Sequence, residues 1–161
     1  MRKLFTIQSK GENYTSDVIE NDDGSVQFNG DMDIDIDGAP DWKRDPFGQP
    51  DTALHYNGLP INAQIVPFIV VPPEIIQAVK GIVLGCKASV RYGIKISDAV
   101  VADIGPHKKL GEGSPALARN LGINDDPNHG GIDDHVVLYR LWPGVPAVID
   151  GIEYNLQPHK G

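Results

Sequence analysis

The chain has 161 residues, 40% hydrophobic and 22% charged, which fits one ordinary globular domain large enough to bury a real core. A formal charge of −8 argues against a nucleic-acid partner, because phosphates demand clustered Lys and Arg. No stretch approaches the roughly 20 apolar residues that span a membrane, and a lone cysteine, Cys86, leaves no intramolecular disulfide.

The first residues, MRKLFTIQSK, carry basic side chains but neither a long apolar run nor a small-residue cleavage site, so they are not read as a signal peptide. Lys3 to Ile7 predicts a strand. Tyr14 to Ile19 and Ser25 to Phe28 flank Asn21-Asp22-Asp23-Gly24 and predict a hairpin. Residues 1–28 are thus expected to supply N-terminal scaffold strands. Asp31 to Asp37 then alternates strictly, so an extended chain places Met32, Ile34 and Ile36 inward and Asp31, Asp33, Asp35 and Asp37 outward. A row of four carboxylates repels itself. It can line a cation-binding face, or it can be a solvated edge strand protected from aggregation by its charge. Asp33, Asp35, Asp37 and Gly38 match the first half of an EF-hand loop, but the glutamate of the second half is replaced by Arg44 and no helix follows, so no metal is assigned.

Asp41 to Asp51 is a polar loop with two aromatics, Trp42 and Phe47, whose faces suit stacking on sugar rings or simple packing. Strands are predicted at Thr52 to Tyr56 and Pro67 to Val71, the latter with the unbroken apolar character of a core strand, and a short helical turn at Pro73 to Val79. Ile82 to Tyr92 continues the sheet, with Cys86 in an apolar setting and Tyr92 a candidate to border a cleft.

The most informative stretch runs from Asp98 to Ile123. Ala99 to Ala102 reads as a strand buried on both faces and ending at Asp103; Ile104-Gly105-Pro106 breaks it, and the glycines near Glu112 let the chain fold back. Ser114-Pro115 opens a helix, serine as cap and proline at the first helical position, and Gly122 ends it. Asp103 and Glu112 can therefore converge on one cleft, and two carboxyls are what glycoside hydrolysis requires: one to protonate the leaving group, one to activate water or attack. Spacing alone also allows both to be solvated loop residues. Asn124 to His135 is a loop in which His129 and His135 stand near Asp133 and Asp134 in a spacing that matches no helical metal motif. Val136 to Leu141 and Ala147 to Tyr154 are predicted to close the barrel, and residues 155–161 form a polar tail. The 18 glycines and 13 prolines, with little helical periodicity, favour a mainly β barrel over a bundle.

Four ordered blocks then resemble one family: GDMDIDIDG (30–38), GQPDTAL (48–54), VPFIVVP (66–72) and the Asp103 to Ser114 segment with its G-E-G-S. They resemble the fungal-type chitosanases of glycoside hydrolase family 75, which are commonly secreted. The resemblance implies that Asp103 and Glu112 are the two catalytic carboxylates of an inverting endo-chitosanase acting on β-1,4-linked glucosamine in chitosan or chito-oligosaccharides, with Glu112 expected as acid and Asp103 as base. With it, Asp31, Asp33, Asp35 and Asp37 are expected to hold substrate ammonium groups; Trp42 and Tyr92 are candidate binding aromatics from their own positions, and no cofactor and a monomer are expected. Ile36 stands where the family often has cysteine, in keeping with the missing disulfide. The D-x-G-P turn followed by a small-residue helix is similar to a segment of double-psi β-barrels, so the expected architecture is a six-stranded double-psi-like barrel with one or two short helices. Two rivals share that architecture: a lytic transglycosylase-like enzyme on peptidoglycan and a non-catalytic expansin-like binder.

Overall fold

The computed structural model describes residues 1–9, 11 and 13–158, so the last residues of the expected C-terminal tail, 159–161, lie outside the described residues. The strands, in chain order, are β1 (Arg2–Gln8), β2 (Thr15–Glu20), β3 (Val26–Ile34), β4 (His55–Tyr56), β5 (Leu59–Pro60), β6 (Phe68–Val71), β7 (Cys86–Tyr92), β8 (Lys95–Ile104), β9 (Glu112–Gly113), β10 (Ile132–Pro146), β11 (Val148–Ile149) and β12 (Ile152–Glu153). Two short helices, α1 (Pro73–Ala78) and α2 (Pro115–Asn120), complete the regular structure.

Six strands close on themselves in the order β3-β10-β7-β8-β6-β9 and back to β3, giving the expected barrel. Closure removes the open edges that a flat sheet would leave. The circuit is antiparallel except at two contacts, β3 with β9 and β6 with β8, which are parallel. β1 and β2 extend the sheet beyond β3 as the predicted N-terminal strands. The core fills the barrel. Val100, Val101, Ala102, Phe68, Ile69 and Val71 are sealed from solvent, as are Met32 and Ile36 from the acidic stretch.

α2 shows how the sequence dictates local structure. Ser114 is fully buried; its hydroxyl oxygen accepts from the Leu117 N–H at 3.2 Å and from the Phe68 N–H at 3.0 Å, and its O–H donates to the Val66 carbonyl at 2.8 Å. One side chain thus caps the helix and ties it to the entrance of β6. Gly122, at φ +71°, ends the helix in the left-handed conformation that glycine adopts without strain.

Two expected strands are different. Thr52 to Leu54 is not strand, because the Thr52 hydroxyl donates to the Leu54 carbonyl and accepts from the Ile61 N–H, a side-chain bridge that replaces the ladder; only His55–Tyr56 pairs, with Leu59–Pro60. Ala147 to Tyr154 does not close the barrel. It folds into the separate β11–β12 hairpin around Asp150-Gly151, both at positive φ, the turn chemistry that favours a tight hairpin. The long β10, which contains the expected Val136 to Leu141 strand, closes the barrel by pairing with β3 on one side and β7 on the other.

Candidate active site

The key to the site is strand register. Val70, in the middle of β6, stands opposite Asp103 of β8 on one side and opposite Glu112 of β9 on the other, and Glu112 stands opposite Asp33 of β3. Residues directly opposite on neighbouring strands face the same side of a sheet. Asp33, Glu112, Val70 and Asp103 therefore form one row across four strands. All four line a cleft of about 730 Å³, together with Asp35, Asp37, Asp45, Phe47, Gly105, Lys109, Asn128 and Asp133.

Each acid is placed by a distinct local cause. Asp103 is the next-to-last residue of β8, where the apolar run gives out; its Oδ1 accepts from the Ile104 N–H at 3.0 Å and the Ala53 N–H at 3.3 Å. Glu112 returns on β9, which inserts between β3 and β6 after a turn through Gly111 at φ +97°. A side chain at 111 would put its Cβ 2.2 Å from the Asp31 carbonyl oxygen, so only glycine lets β9 approach β3 here. Gly105 serves the acid itself: a Cβ there would stand 2.6 Å from Glu112 Oε2. That Oε2 is buried and has no hydrogen-bond partner among the described residues.

Burial is the main force on these groups. It pushes the Glu112 carboxyl up to about 7, opposed by the Lys109 ammonium and assisted by the charges of Asp33, Asp103 and Asp37. It pushes Asp103 up to about 6, against the help of its Ile104 N–H. Asp35 is pushed up to about 8 by burial and by the charge of Asp37, and Asp37 is raised, again chiefly by burial. Asp35, Asp37 and Asp103 bring carboxyl oxygens within 4.8 Å of one another. Three such groups cannot all be ionised cheaply, and Asp37 is the natural hub: hydrogen bonds from Asp35 and Asp103 favour its ionised form, and its Oδ1 accepts from the Gln49 N–H at 2.8 Å. Three carboxylates are a sparse set for calcium, which takes about six to eight oxygens. Burial and mutual repulsion favour shared protons among them.

The aspartate row divides. Met32, Ile34 and Ile36 are inward and buried as the alternation requires. Asp33, Asp35 and Asp37 face the cleft. Asp31 is instead buried, on a neighbouring depression with Ser9, Gly11, Pro106 and Leu110, and its carbonyl accepts from the buried Tyr139 hydroxyl. The half-matched EF-hand does not form a loop: Asp33 is in strand β3 and its carboxylate is paired with Lys109.

The expected aromatics stand elsewhere. Trp42 packs against the core from a single 3₁₀ turn, with Lys43 over its ring. Its loop neighbour Phe47 is the aromatic on the cleft, 86% exposed. Tyr92 pairs with Lys95 at the far end of the β7–β8 hairpin, more than 20 Å along β8 from Asp103 at about 3.3 Å per residue. His135 falls in β10 rather than in the expected loop and stacks on Tyr14, while His129 lies beside Asp126, so the two histidines serve separate contacts.

Sequence reasoning passed over Lys109. Its ammonium lies 2.8 Å from Asp33 Oδ2 and 3.8 Å from Glu112 Oε1. The Lys-x-x-Glu spacing between two glycine-bounded turns was its only signal, and such a pair is ordinarily surface decoration.

Residues 32–159 match the fungal chitosanases of glycosyl hydrolase group 75, and the chain belongs to that family. The match covers most of the chain and begins at the acidic strand, leaving β1, β2 and most of β3 outside it. No curated protein matches the chain closely enough to count as a relative.

Proposed function

We propose that this glycoside hydrolase of the chitosanase family cleaves chitosan with inversion, using Glu112 as general acid and Asp103 as general base. The observation that carries the reading is the register of both acids on Val70, from opposite sides of one strand. Two interstrand spacings put their Cα atoms roughly 9.5 Å apart, which leaves room for a sugar bond and a water between the carboxyls. The electrostatics support the division of labour. Glu112, raised to about 7, keeps its proton where Asp103, raised to about 6, has lost its own.

In the reaction Glu112 donates its proton to the glycosidic oxygen as that bond breaks. Asp103 takes a proton from a water that attacks the anomeric carbon from the opposite face. The Ala53 and Ile104 N–H groups orient the Asp103 carboxylate, and the charge of Asp37 beside it raises its basicity. Substrate ammonium groups are drawn by the acidic wall of the cleft, Asp37 with Asp45 and Asp133, while Asp33 is already paired with Lys109. The exposed Phe47 ring offers a face for stacking a sugar.

The test is stereochemical. Proton NMR of early chitosan digests should show the α-anomer at new reducing ends, and Glu112→Gln and Asp103→Asn should each abolish its appearance. Accumulation of the β-anomer, or activity retained in either variant, overturns the reading.

A further inference from the structure

We propose that Lys109 is a positioning residue, a resident ammonium ion that pairs with Asp33, holds the Glu112 carboxyl in the cleft and sets the upper pH at which the enzyme works. The inference rests on Glu112 as general acid and adds a partner that controls it. Lys109 is no loose surface lysine. It lines both the cleft and the neighbouring depression at Asp31 and Ser9, so its side chain divides the two. The preceding residues are clamped: Glu74 of α1 accepts from the Lys108 N–H at 2.8 Å and lies 2.6 Å from His107 Nδ1. Lys108 adopts φ +61°, a left-handed conformation that costs a non-glycine residue energy and persists only where surroundings enforce it. The fold thus uses strain and a partly exposed carboxylate to fix the loop that aims Lys109.

What Lys109 does follows from the charges around Glu112. On its own loop stands Lys109; from β3 comes Asp33; from β8 comes Asp103; from the segment after β3 come Asp35 and Asp37, with Asp45 and Asp133 farther along the cleft. Every one of these except Lys109 is an acid. Lys109 is therefore the single cation among the described cleft-lining residues that opposes protonation of Glu112. Without it, burial and the charges of Asp33, Asp103 and Asp37 all push in one direction. The acid would then hold its proton more tightly and donate it less readily.

Removing the ammonium, and leaving Asp33 unneutralised, raises the proton affinity of Glu112; removing Asp33 instead leaves the ammonium to Glu112 alone and lowers it. The two variants must shift Glu112 in opposite directions, which a merely structural role cannot imitate. The experiment follows kcat/KM against pH on chitosan and, in parallel, the carboxyl carbon NMR titration of Glu112 in the full chain. Lys109→Met should move the alkaline limb and the NMR midpoint up by about one pH unit. Asp33→Asn should move both down, and Lys109→Arg should restore the wild-type values. An unmoved NMR midpoint in folded Lys109→Met, or shifts of the same sign in Lys109→Met and Asp33→Asn, overturns the proposal. Should Lys109→Met fail to fold, the Asp33→Asn and Lys109→Arg titrations decide it by the same signs. A midpoint that moves while the kinetic limb does not leaves Lys109 controlling Glu112 and refutes Glu112 as the acid, so the two readings fail separately.

Discussion

Asp22, Asp23 and Asp126 are held below the ordinary carboxylate range, and Asp35, Asp103 and Glu112 above it. The first set lies at the surface. Asp22 accepts from the chain amino group, Asp23 from the Ser25 hydroxyl and N–H, and Asp126 from the Asn128 N–H, all donors that favour the ionised form. The second set lines the barrel cleft, where burial removes water and neighbouring carboxyls add repulsion. What separates a turn-forming aspartate from a proton-handling one is its environment, and the fold arranges that environment by pairing β8 and β9 with opposite edges of β6 and β3 with β9.

The contrast breaks most visibly in turnover. Glu112→Gln and Asp103→Asn should each lower chitosan hydrolysis by about 10² to 10⁴, while Asp22→Asn leaves the rate unchanged; reducing-end assays on the three variants check this. Next in size is the pH profile. kcat/KM should rise as Asp103 ionises near pH 6 and fall as Glu112 loses its proton near pH 7, a narrow bell with both limbs set by the cleft. A profile flat from 5 to 9 would detach the reaction from these groups.

Stability should show the same division with a definite sign. An unfolded aspartate ionises near pH 4, but Asp35 in the fold holds its proton to about 8. The stability gained from its neutral form is whole below about pH 4 and is lost progressively as pH rises to about 8. Asp35→Asn, whose amide can donate to Asp37 as the carboxyl did, should thus raise Tm at pH 8 by about 2–4 °C and leave it unchanged at pH 4. Asp23→Asn should not stabilise at pH 8, since its carboxylate is favoured by the Ser25 donors. Thermal melts at the two pH values distinguish the cases.

The smallest effect separates two acids within the cleft. Among the described residues no ion pair engages Asp45, whereas Asp33 is engaged by Lys109 at 2.8 Å. Asp45→Asn should therefore raise KM for chitosan a few-fold at low salt and less at high salt, because screening already weakens exposed charge attraction. Asp33→Asn should change KM less at either ionic strength. Equal effects would mean that substrate displaces Lys109 from Asp33.

Much of this was legible in the sequence. Alternation fixed the inward faces of Met32, Ile34 and Ile36, the apolar run from Ala99 marked the strand that ends near Asp103, and Ser114-Pro115 with Gly122 bounded α2, because side-chain period and cap chemistry are properties of a few adjacent residues. The ordered motifs likewise pointed to the family, and Asp103 and Glu112 to one cleft. Register could not be read there. That Glu112 and Asp103 both stand opposite Val70, that Asp31 turns away from the cleft while Asp33 faces it, that Tyr92 lies at the far end of β8 and that Lys109 reaches Asp33 are consequences of which strands pair and by how much they are offset. Those offsets are fixed by long-range packing and barrel closure, and the same packing supplies the burial that raises Asp35, Asp37, Asp103 and Glu112. Sequence determined which residues could do the chemistry; tertiary structure decided which of them meet, because the energy of a buried charge depends on neighbours far away along the chain.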